Sequence, residues 1–442
     1  MDINMNRHFR HLLFLSNVGG LTIILAIPSL SLPHGILWGR QYPSSHNDLP
    51  SSVHVDAKGD IIVVGNSDSS ATVEAATGTQ FFIAKFHPNG AMLWRRQVKA
   101  GLYAEALAVT TDPESQIYVV GRVEDSLFGK PQGSMDAFIG KWSADGNLVW
   151  GRQFGTDAAD EADAVDIGYL GQVYVAGTTY GSLYDNNRDR GLESYFIAYS
   201  REGKLIAGKQ FTKDVEPAAM STDADNNIYI AAFAGPSTNE PTYTGASLLK
   251  YNSLMHLEWM RSPEAPPESG ASGVSASGDA IYMVGRAYDN SGTDHRLIQG
   301  TYLTRFSRSG KRIWIKVWHR DMKTTFATVT TDKQGNVYTA GYEELSRGFV
   351  PWASNQKAII SCLGADGREH WSRSFGAQQH SGIIGLCLSH GHLLAVGFTS
   401  GDLFGKGNGC TSLFLAEVKR SLHGMPVKDP IVSTGEGIDS TR

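Results

Sequence analysis

The sequence is poor in cysteine and has no excess of positive charge. Three cysteines among 442 residues are too few for a disulfide framework, although one pair among Cys362, Cys387 and Cys410 is open. Lys and Arg number 39 against 44 Asp and Glu, so the net charge of -5 gives no general attraction to phosphate backbones. No long Ala-, Glu-, Lys- and Leu-rich stretch occurs either. These shortages argue against a disulfide scaffold, a nucleic-acid-binding protein and a mainly helical fold.

The residues that are plentiful predict a folded, strand-rich chain. Hydrophobic residues make up 41% and aromatic residues 10%, while charged residues account for 19%. This balance supplies enough apolar surface for a large core and excludes global disorder. The 49 glycines indicate frequent turns between short strands.

The N-terminal segment has the pattern of a secretory signal. Arg7 and Arg10 precede an uncharged stretch from Leu12 to Leu32, and small residues lie near Ser31, where a signal peptidase would cut. Asn, Gly and Pro within the stretch weaken a membrane span. We predict a signal peptide over residues 1–31, with an uncleaved anchor and a buried segment as the two alternatives. The first two interpretations place the body outside the cytoplasm, whether secreted, periplasmic or at the cell surface.

One pattern recurs seven times at a spacing of about 56 residues. It contains a Leu-Trp-x-Arg-Gln run, a Val- and Thr-rich run ending in Asp, an Ile-Tyr-Val-Val-Gly run and a Phe-Ile-Ala-Lys run. Their β-branched and aromatic residues, separated by Gly, Asn and Asp, predict four strands per unit. The Trp position is held by Trp38, Trp94, Trp150, Ala207, Trp259, Trp314 and Trp371. A cation always follows two residues later, which indicates a structural role for the pair.

The order of the strands predicts a closed ring. The first Trp-containing strand, residues 36–41, precedes any complete unit, and the last unit has no such strand after it. Pairing these two ends leaves only short, protected edges. We therefore predict an all-β fold, a seven-bladed β-propeller over residues 36–420 with four antiparallel strands per blade. Residues 421–442 lack the repeat and are predicted to form a flexible polar tail.

The second and third units carry a family resemblance. The run from Asp136 to Thr156, continued by Val173-Tyr-Val-Ala-Gly177, resembles the SBBP-type β-propeller repeat found in many secreted and cell-surface proteins, chiefly bacterial. The similarity covers about 385 of the 442 residues and is weakest around Ala207. The resemblance implies a propeller outside the cytoplasm. Because the family has no common catalytic motif, it implies the fold more than the function.

Ligand-binding residues are expected on the face that carries the long connections of each blade. An acidic loop contributes Asp157, Asp160 and Glu161, which suit a cation or a basic ligand, the alternative being a solvated, self-capped turn. Another loop combines an aromatic residue with both charges, which suits sugars or peptide side chains, ordinary surface packing being the alternative. The candidates in that loop and its neighbours are Trp318, His319, Arg320, Asp321, Arg286, Trp352 and Arg122.

The sequence has no catalytic or metal-binding motif with a recognised spacing. Neither Gly-x-Ser-x-Gly nor His-Glu-x-x-His occurs, and Cys387-x-x-His390-x-His392 lies at a hairpin turn with no evident fourth ligand. We therefore predict no catalytic residue, no metal site and no cofactor.

The absence of a catalytic constellation favours a binding protein. We predict a secreted or cell-surface, non-catalytic propeller that binds a protein or a glycan on its long-loop face. One alternative is an extracytoplasmic lyase or hydrolase using His54, Asp166 or His319 near the channel. A second is an envelope assembly factor or scaffold. Nucleic acid is not expected as a partner, and membrane contact is expected only through an uncleaved N-terminal segment.

Overall fold

The computed structural model describes ten ranges of the chain, between which short connections are left out. They are residues 32–68, 78–184, 192–213, 215–234, 245–265, 269–289, 298–318, 323–344, 356–376 and 379–420. Within them the fold is all-β, with no helix. The predicted signal or anchor (1–31) and the predicted tail (421–442) lie outside the described residues.

The described residues form 28 strands in seven four-stranded antiparallel sheets. In chain order the strands are β1 (Ile36–Tyr42), β2 (Asn47–Val55), β3 (Ile61–Asp68), β4 (Thr79–Phe86), β5 (Met92–Val98), β6 (Ala104–Thr111), β7 (Ile117–Val123), β8 (Asp136–Trp142), β9 (Leu148–Phe154), β10 (Asp160–Ile167), β11 (Val173–Thr179), β12 (Glu193–Tyr199), β13 (Leu205–Lys213), β14 (Val215–Thr222), β15 (Ile228–Ala234), β16 (Gly245–Tyr251), β17 (Leu257–Arg261), β18 (Gly270–Ser277), β19 (Ala280–Asp289), β20 (Ile298–Ser307), β21 (Arg312–Trp318), β22 (Lys323–Thr331), β23 (Val337–Glu344), β24 (Gln356–Leu363), β25 (Glu369–Phe375), β26 (Ser381–Ser389), β27 (His392–Thr399) and β28 (Ser412–Val418).

The sheets are the blades of a ring. Strands β2–β5 form blade 1, each following group of four forms the next blade, and blade 7 consists of β26, β27, β28 and β1. The first strand of each blade contacts the first strand of the next, and β26 contacts β2, so the inner strands form a closed circle. The predicted seven-bladed β-propeller is therefore confirmed. The short turns of a blade join its first strand to its second and its third strand to its fourth. We call the side that carries these turns the short-turn face, and the opposite side the long-loop face.

Blade 7 joins the two ends of the propeller, as predicted. Strand β1 pairs antiparallel with β28, and Gly39 lies opposite Ala416. Beyond these strands the amide of Lys419 donates a hydrogen bond of 2.9 Å to the carbonyl oxygen of Gly35. The Nη1 atom of Arg373, in blade 6, donates to both carbonyl oxygens, of Gly35 at 3.0 Å and of Lys419 at 3.2 Å. Blade 6 thus holds together the two chain segments that meet in blade 7.

The glutamine of the Leu-Trp-x-Arg-Gln run holds the long loop of its own blade. In blade 2 the Oε1 atom of Gln153 accepts hydrogen bonds from the amides of Leu127 (2.9 Å) and Phe128 (3.2 Å). The same atom of Gln210 accepts from two loop amides in blade 3, and that of Gln41 accepts from two in blade 7. These bonds hold the long loops of blades 2, 3 and 7 against their sheets, because a side-chain amide satisfies backbone groups that would otherwise lack partners.

The recurrent tryptophan joins each blade to the next. Trp94 donates its indole N–H to the carbonyl oxygen of Ala144 in the last hairpin turn of blade 2, at 3.1 Å. Its ring lies over Gly146 of that turn, where a Cβ atom would come within 3.0 Å of the ring. Gly146 also has a φ of 79°, a left-handed conformation that favours glycine. The same ring-over-glycine contact joins Trp38 to Gly90, Trp150 to Gly203, Trp259 to Gly310 and Trp314 to Gly367.

Between blades 3 and 4 the sizes of the two partners are exchanged. Ala207 stands where the other blades have tryptophan, and Met255 stands at the turn position that is glycine in the five pairs above. Met255 keeps a left-handed φ of 60°, is buried, and belongs to the core cluster against which Ala207 packs. Lys209 donates to the carbonyl oxygen of Met255 at 3.1 Å, so the turn is still tied to the preceding blade. A large turn residue therefore fills the space of the missing indole.

This exchange predicts strong coupling between the two positions. Ala207→Trp alone should destabilise the protein by about 1–3 kcal/mol, because the indole would overlap Met255. Met255→Gly alone should cost about 2–5 kcal/mol of packing. The double variant should be more stable, by at least about 1 kcal/mol, than the sum of the two single effects predicts, as measured by urea unfolding. Ala207→Trp combined with Met92→Gly, an exposed site on blade 1, is the control and should be additive. Additivity of the first pair would contradict the size exchange.

Candidate functional site

A central channel runs between the seven inner strands. It encloses a cavity of about 310 Å³ lined by residues of all seven. Each inner strand has one bulged residue at the same level, where its pairing with the second strand shifts by one residue. The bulged residues all line the cavity, and they are Ser51, Leu107, Asp163, Ala218, Ser272, Ala327 and Ile384. Asp163 is the single carboxylate among them.

Asp163 has little compensation for its charge. The hydroxyl of Thr178 donates to its Oδ2 atom over a long 3.5 Å, and no cation of the described ranges makes an ion pair with it. The side chain is only partly exposed and lies within the ring of inner strands, all seven of which line the same cavity. This enclosure raises the pKa of Asp163 from its usual 3.8 to about 8, with a further increase from Glu161, while Arg122 and Thr178 act in the opposite direction.

The channel mouth is formed by the inner-strand residues that stand two positions before the bulged residues, on the side of the long-loop face. There Glu105, Glu161 and Glu216 of blades 2, 3 and 4 occupy one aligned position. Arg122 lies between the first two, donating to Glu105 Oε2 through Nη2 at 2.7 Å and to Glu161 Oε1 through Nη1 at 2.7 Å. Its Nη2 also donates to the Tyr103 hydroxyl at 3.0 Å. We call Glu105, Glu161, Asp163 and Glu216 the acidic arc.

Aromatic side chains form the other part of the mouth. The second strand of each blade contains a recurrent Gly, which is Ala in blade 4. The residue after it is Phe233 in blade 4, Tyr342 in blade 6 and Phe398 in blade 7, and all three are half-buried. A Cβ atom on Gly382 would meet Phe398 at 2.9 Å and Tyr342 at 3.5 Å, so these two side chains flank one point of the rim. We call Phe233, Tyr342 and Phe398 the aromatic arc.

In the described residues, blade 5 leaves a notch in the mouth between Phe233 of blade 4 and Tyr342 of blade 6. A Cβ atom on Gly270 would meet no described atom within 4 Å, so the described residues do not fill this part of the rim. Its strand partner, Arg286, is exposed and donates from Nη2 to the hydroxyl of Tyr342 at 3.4 Å. The mouth therefore presents carboxylates on one side, aromatic rings on the other and a guanidinium beside the notch.

The opposite end of the channel is occupied by bonds between blades. His54 Nδ1 lies 3.0 Å from Thr111 Oγ1 of the next blade. Asp166 accepts from the hydroxyl of Thr110 at 3.2 Å, and from the amide and hydroxyl of Thr222 at 2.8 and 3.0 Å. Burial lowers the pKa of His54, against the opposing charges of Asp166 and Asp56, so its imidazole is neutral at pH 7. Both side chains thus serve the contact between blades.

The acidic-loop candidates separate into three environments. Asp157 is exposed in the connection between β9 and β10. Asp160 is buried at the start of β10, where its Oδ2 atom accepts from the amide of Thr156 at 2.6 Å and from its hydroxyl at 2.9 Å. Burial raises the pKa of Asp160, although these bonds act against the increase. Only Glu161 reaches the mouth, through its ion pair with Arg122.

The remaining candidates also differ in position. Trp318 is buried at the end of β21, with its ring edge-on to Phe326 at 5.1 Å and its Nε1 atom 3.3 Å from Glu369 Oε2. Arg286 and Arg122 lie at the mouth, at strand ends rather than in loops, because their strands continue past the glycine. His319, Arg320, Asp321 and Trp352 lie outside the described residues.

The cysteine and histidine cluster of blade 7 has other partners. Cys387 is buried, which raises the pKa of its thiol to about 12, and His392 pairs with Glu417 at 2.5 Å. In the described ranges, which include all three cysteines, each cysteine is unpaired. Those ranges also contain no group of three or more His, Cys, Asp or Glu residues that could hold a metal ion.

Sequence reasoning missed Glu216, Asp163 and the aromatic arc. The signal for the aromatic arc was available in the alignment of the repeats, because the residue after the recurrent Gly or Ala of the second strand differs in chemistry from blade to blade. That position is Asn66, Arg122, Thr178, Phe233, Arg286, Tyr342 and Phe398. Asp163 follows Glu161 by two residues, but the bulge that turns it into the channel has no sequence signature of its own.

The ring and its channel define the class of the protein as a seven-bladed β-propeller. No family model matches the sequence. A segment of 103 residues is 29% identical to an uncharacterized WD repeat-containing protein of Acanthamoeba polyphaga mimivirus, covering 19% of this chain and 7% of that protein. The chain thus spans a small fraction of the curated relative that it matches. The SBBP-type resemblance stays a prediction.

Three solved structures are similar at low identity. A protein of unknown function from Bacteroides caccae is 11% identical, with a TM-score of 0.40 over 67% of this chain and 96% of that one. An ulvan lyase of polysaccharide lyase family PL25 is 11% identical, with a TM-score of 0.45 over 74% and 80%. BBS1N, solved in complex with ARL6DN, is 9% identical, with a TM-score of 0.46 over 88% and 99%. Similarity at this level carries no argument, and the strand order of this chain itself defines the fold.

The raised pKa of Asp163 predicts a pH-dependent effect of Asp163→Asn on stability. Between pH 4 and pH 8 the folded protein keeps a proton that the unfolded chain releases, so this group makes the wild type less stable as the pH rises. The asparagine side chain of the variant does not titrate. The stability difference in favour of the variant should grow by up to about 1.4 kcal/mol per pH unit in that window and level off above it.

Urea unfolding of both proteins between pH 4 and pH 9 measures this difference. Asp279→Asn is the matched control, because Asp279 is 96% exposed on the short-turn face. Its stability difference should be flat across the same range. A flat difference for Asp163→Asn as well would show that the Asp163 carboxyl ionises normally.

Proposed function

We propose that the protein is an extracytoplasmic, non-catalytic β-propeller that binds a protein or a glycan at the mouth of its channel on the long-loop face. The observation that supports this function is the loss of sevenfold regularity at the mouth. Everywhere else the repeated side chains join blades or hold loops. At the mouth, one aligned rim position holds Asn, Arg, Thr, Phe, Arg, Tyr and Phe in turn.

The chemistry of the mouth suits recognition. Half-buried aromatic rings beside charged groups are typical of the centre of a binding site, because they offer apolar area together with orientation. Exposed hydrophobic side chains extend this surface on the long-loop side, with Leu49 46%, Leu102 65% and Tyr180 50% exposed. A partner would therefore find an apolar surface around a polar opening.

The acid and base groups of the channel support a non-catalytic role. The imidazole of His54 and the carboxylate of Asp166 are both engaged in hydrogen bonds to the next blade. Moving a proton with either would break a contact of the ring. Asp163 has a raised pKa suited to proton transfer, but no second acid or base of the described ranges forms a hydrogen bond with it. The proposed role is therefore binding rather than turnover.

Extracytoplasmic location is proposed on the N-terminal segment and on the SBBP-type resemblance. Among the residues that the structure describes, none forms a helix long and apolar enough to cross a membrane. The proposal thus depends on the uncharged stretch between Leu12 and Leu32 being read as an export signal.

Location can be tested with the full chain in a secreting host. The wild type should accumulate outside the cytoplasm with its N-terminus near residue 32, detected by fractionation and N-terminal sequencing. Ile24→Arg should keep the chain inside, because a charge interrupts the apolar region, whereas Ile24→Val should be exported normally. A wild-type chain found in the cytoplasm with Met1 intact would contradict this location.

Binding at the mouth can be tested on arrays of extracellular proteins and glycans. The purified full chain should bind at least one ligand, and Tyr342→Ala should weaken that binding at least about tenfold by removing an aromatic contact. Tyr169→Ala removes a 78% exposed tyrosine from the short-turn face and should leave the affinity unchanged. Melting curves check that both variants fold. Equal losses for the two variants, or turnover of a ligand, would overturn the proposed function.

A further inference from the structure

The acidic arc has more carboxyl groups than the guanidinium among them can pair with. Arg122 commits its donors to Glu105, Glu161 and the hydroxyl of Tyr103. Among the described residues, no Lys, Arg or His forms an ion pair with Asp163 or with the exposed Glu216. Asp163 keeps its proton up to about pH 8, chiefly because it is enclosed and in part because the charge of Glu216 lies near enough to raise its pKa. Within the described residues, these two neighbouring carboxyl groups therefore have no basic partner.

The channel offers space beside these carboxylates. The cavity of about 310 Å³ has room for several water molecules or one long, narrow side chain. Asp163 lies two residues below Glu161 on β10, which places it about 7 Å below the rim. The four-carbon stem of a lysine spans such a depth. At the bulge level Asp163 shares the cavity with Ser51, Leu107, Ala218, Ser272, Ala327 and Ile384, and none of these side chains is aromatic.

The aromatic arc faces the same opening. Tyr342 and Phe398 flank Gly382, and Phe233 is the strand partner of Glu216. The faces of such rings attract an ammonium or guanidinium group, in addition to carboxylates that pair with it directly. Two independent features, the carboxyl groups that have no basic partner among the described residues and the rings around the opening, thus favour the same ligand chemistry.

We propose that the partner is a protein that inserts a lysine or arginine side chain into the channel mouth, between Asp163 and Glu216 and beneath the aromatic arc. This inference rests on the proposed function and narrows it from a protein or glycan to a protein with an exposed basic side chain. A basic side chain would release the proton of Asp163 to water and pair with both carboxylates. A neutral glycan would leave Glu216 without an ionic partner, and an acidic glycan would be repelled by its charge.

A protein is favoured over a free polyamine by the surface around the mouth. Leu49 lies on the rim, and Leu102 and Tyr180 add large exposed apolar side chains on the long-loop side. A small amine would leave this apolar area in water, whereas the backbone and neighbouring side chains of a protein would cover it. The basic side chain then acts as the anchor at the centre of a wider contact.

Random peptides displayed on phage and selected on the immobilised full chain provide the test. The enriched peptides should share one Lys or Arg. Binding of a synthetic peptide, measured by calorimetry, should weaken at least about tenfold with Asp163→Asn. It should also weaken with Glu216→Gln, an exposed position whose replacement leaves the core intact. Asp279→Asn makes the same side-chain replacement on the opposite face and should change the affinity by less than about twofold.

A second comparison isolates the contact itself. Replacing the shared basic residue of the peptide by norleucine should cost as much as Asp163→Asn, and the two changes together should cost little more than either alone. Additive losses would overturn the inference. Melting curves establish that Asp163→Asn is folded.

Different experimental results would overturn the inference and the proposed function. Peptides that lose affinity with Tyr342→Ala but contain no basic residue, or that bind Asp163→Asn equally well, would overturn the inference and leave the proposed function standing. Binding of spermidine in an Asp163-dependent manner, with no peptide enriched, would identify a free amine as ligand and overturn the protein partner. No ligand from peptides, proteins, glycans or spermidine would overturn the proposed function itself.

Discussion

The contact between an outer-strand side chain and the hairpin turn of the next blade is the interaction on which the ring depends. An indole over a left-handed glycine joins five of the blade pairs described above, and Trp371 reaches the carbonyl oxygen of Arg420 at the closing pair. Because each ring needs a turn without a side chain, tryptophan and glycine must change together. Ala207 and Met255 show this constraint directly, since the small and large partners have exchanged places. Blade geometry is therefore set by pairs of residues about 50 positions apart in the chain.

Because the outer contacts are regular, the residues that face the channel can differ from blade to blade. Each inner strand has a bulge at the same level, so the backbone offers seven equivalent positions toward the axis. Six hold neutral residues and one holds Asp163. At the mouth above it, blades 2 to 4 contribute carboxylates, whereas Phe233, Tyr342 and Phe398 bring aromatic rings from blades 4, 6 and 7. A symmetric framework thus carries an asymmetric opening, which is the physical basis for a selective site.

Much of the fold could be predicted because it is repeated. Seven copies of Leu-Trp-x-Arg-Gln gave the number of blades, and the surplus strand at the start required pairing with the last unit. The hydrogen bonds by which Gln153 holds the long loop of its blade were not predicted from the sequence. Candidate site residues were harder to identify. A sequence marks Asp157, Asp160 and Glu161 as equally acidic, yet one is an exposed loop residue, one caps backbone groups in the interior and one pairs with Arg122.

By itself the sequence determined the all-β class, the seven blades and their closure, because strand periodicity and repeat spacing are local properties that a single chain displays. Only the tertiary structure decided which side chains meet at the channel. Asp163 and Tyr342 lie 179 residues apart along the chain numbering, on different blades, and share one opening because the ring closes. The environment of Asp163 depends on six other strands that surround it and on a cation already committed to its neighbours. Burial and charge of that kind arise from the assembled ring, and no segment of the sequence contains them.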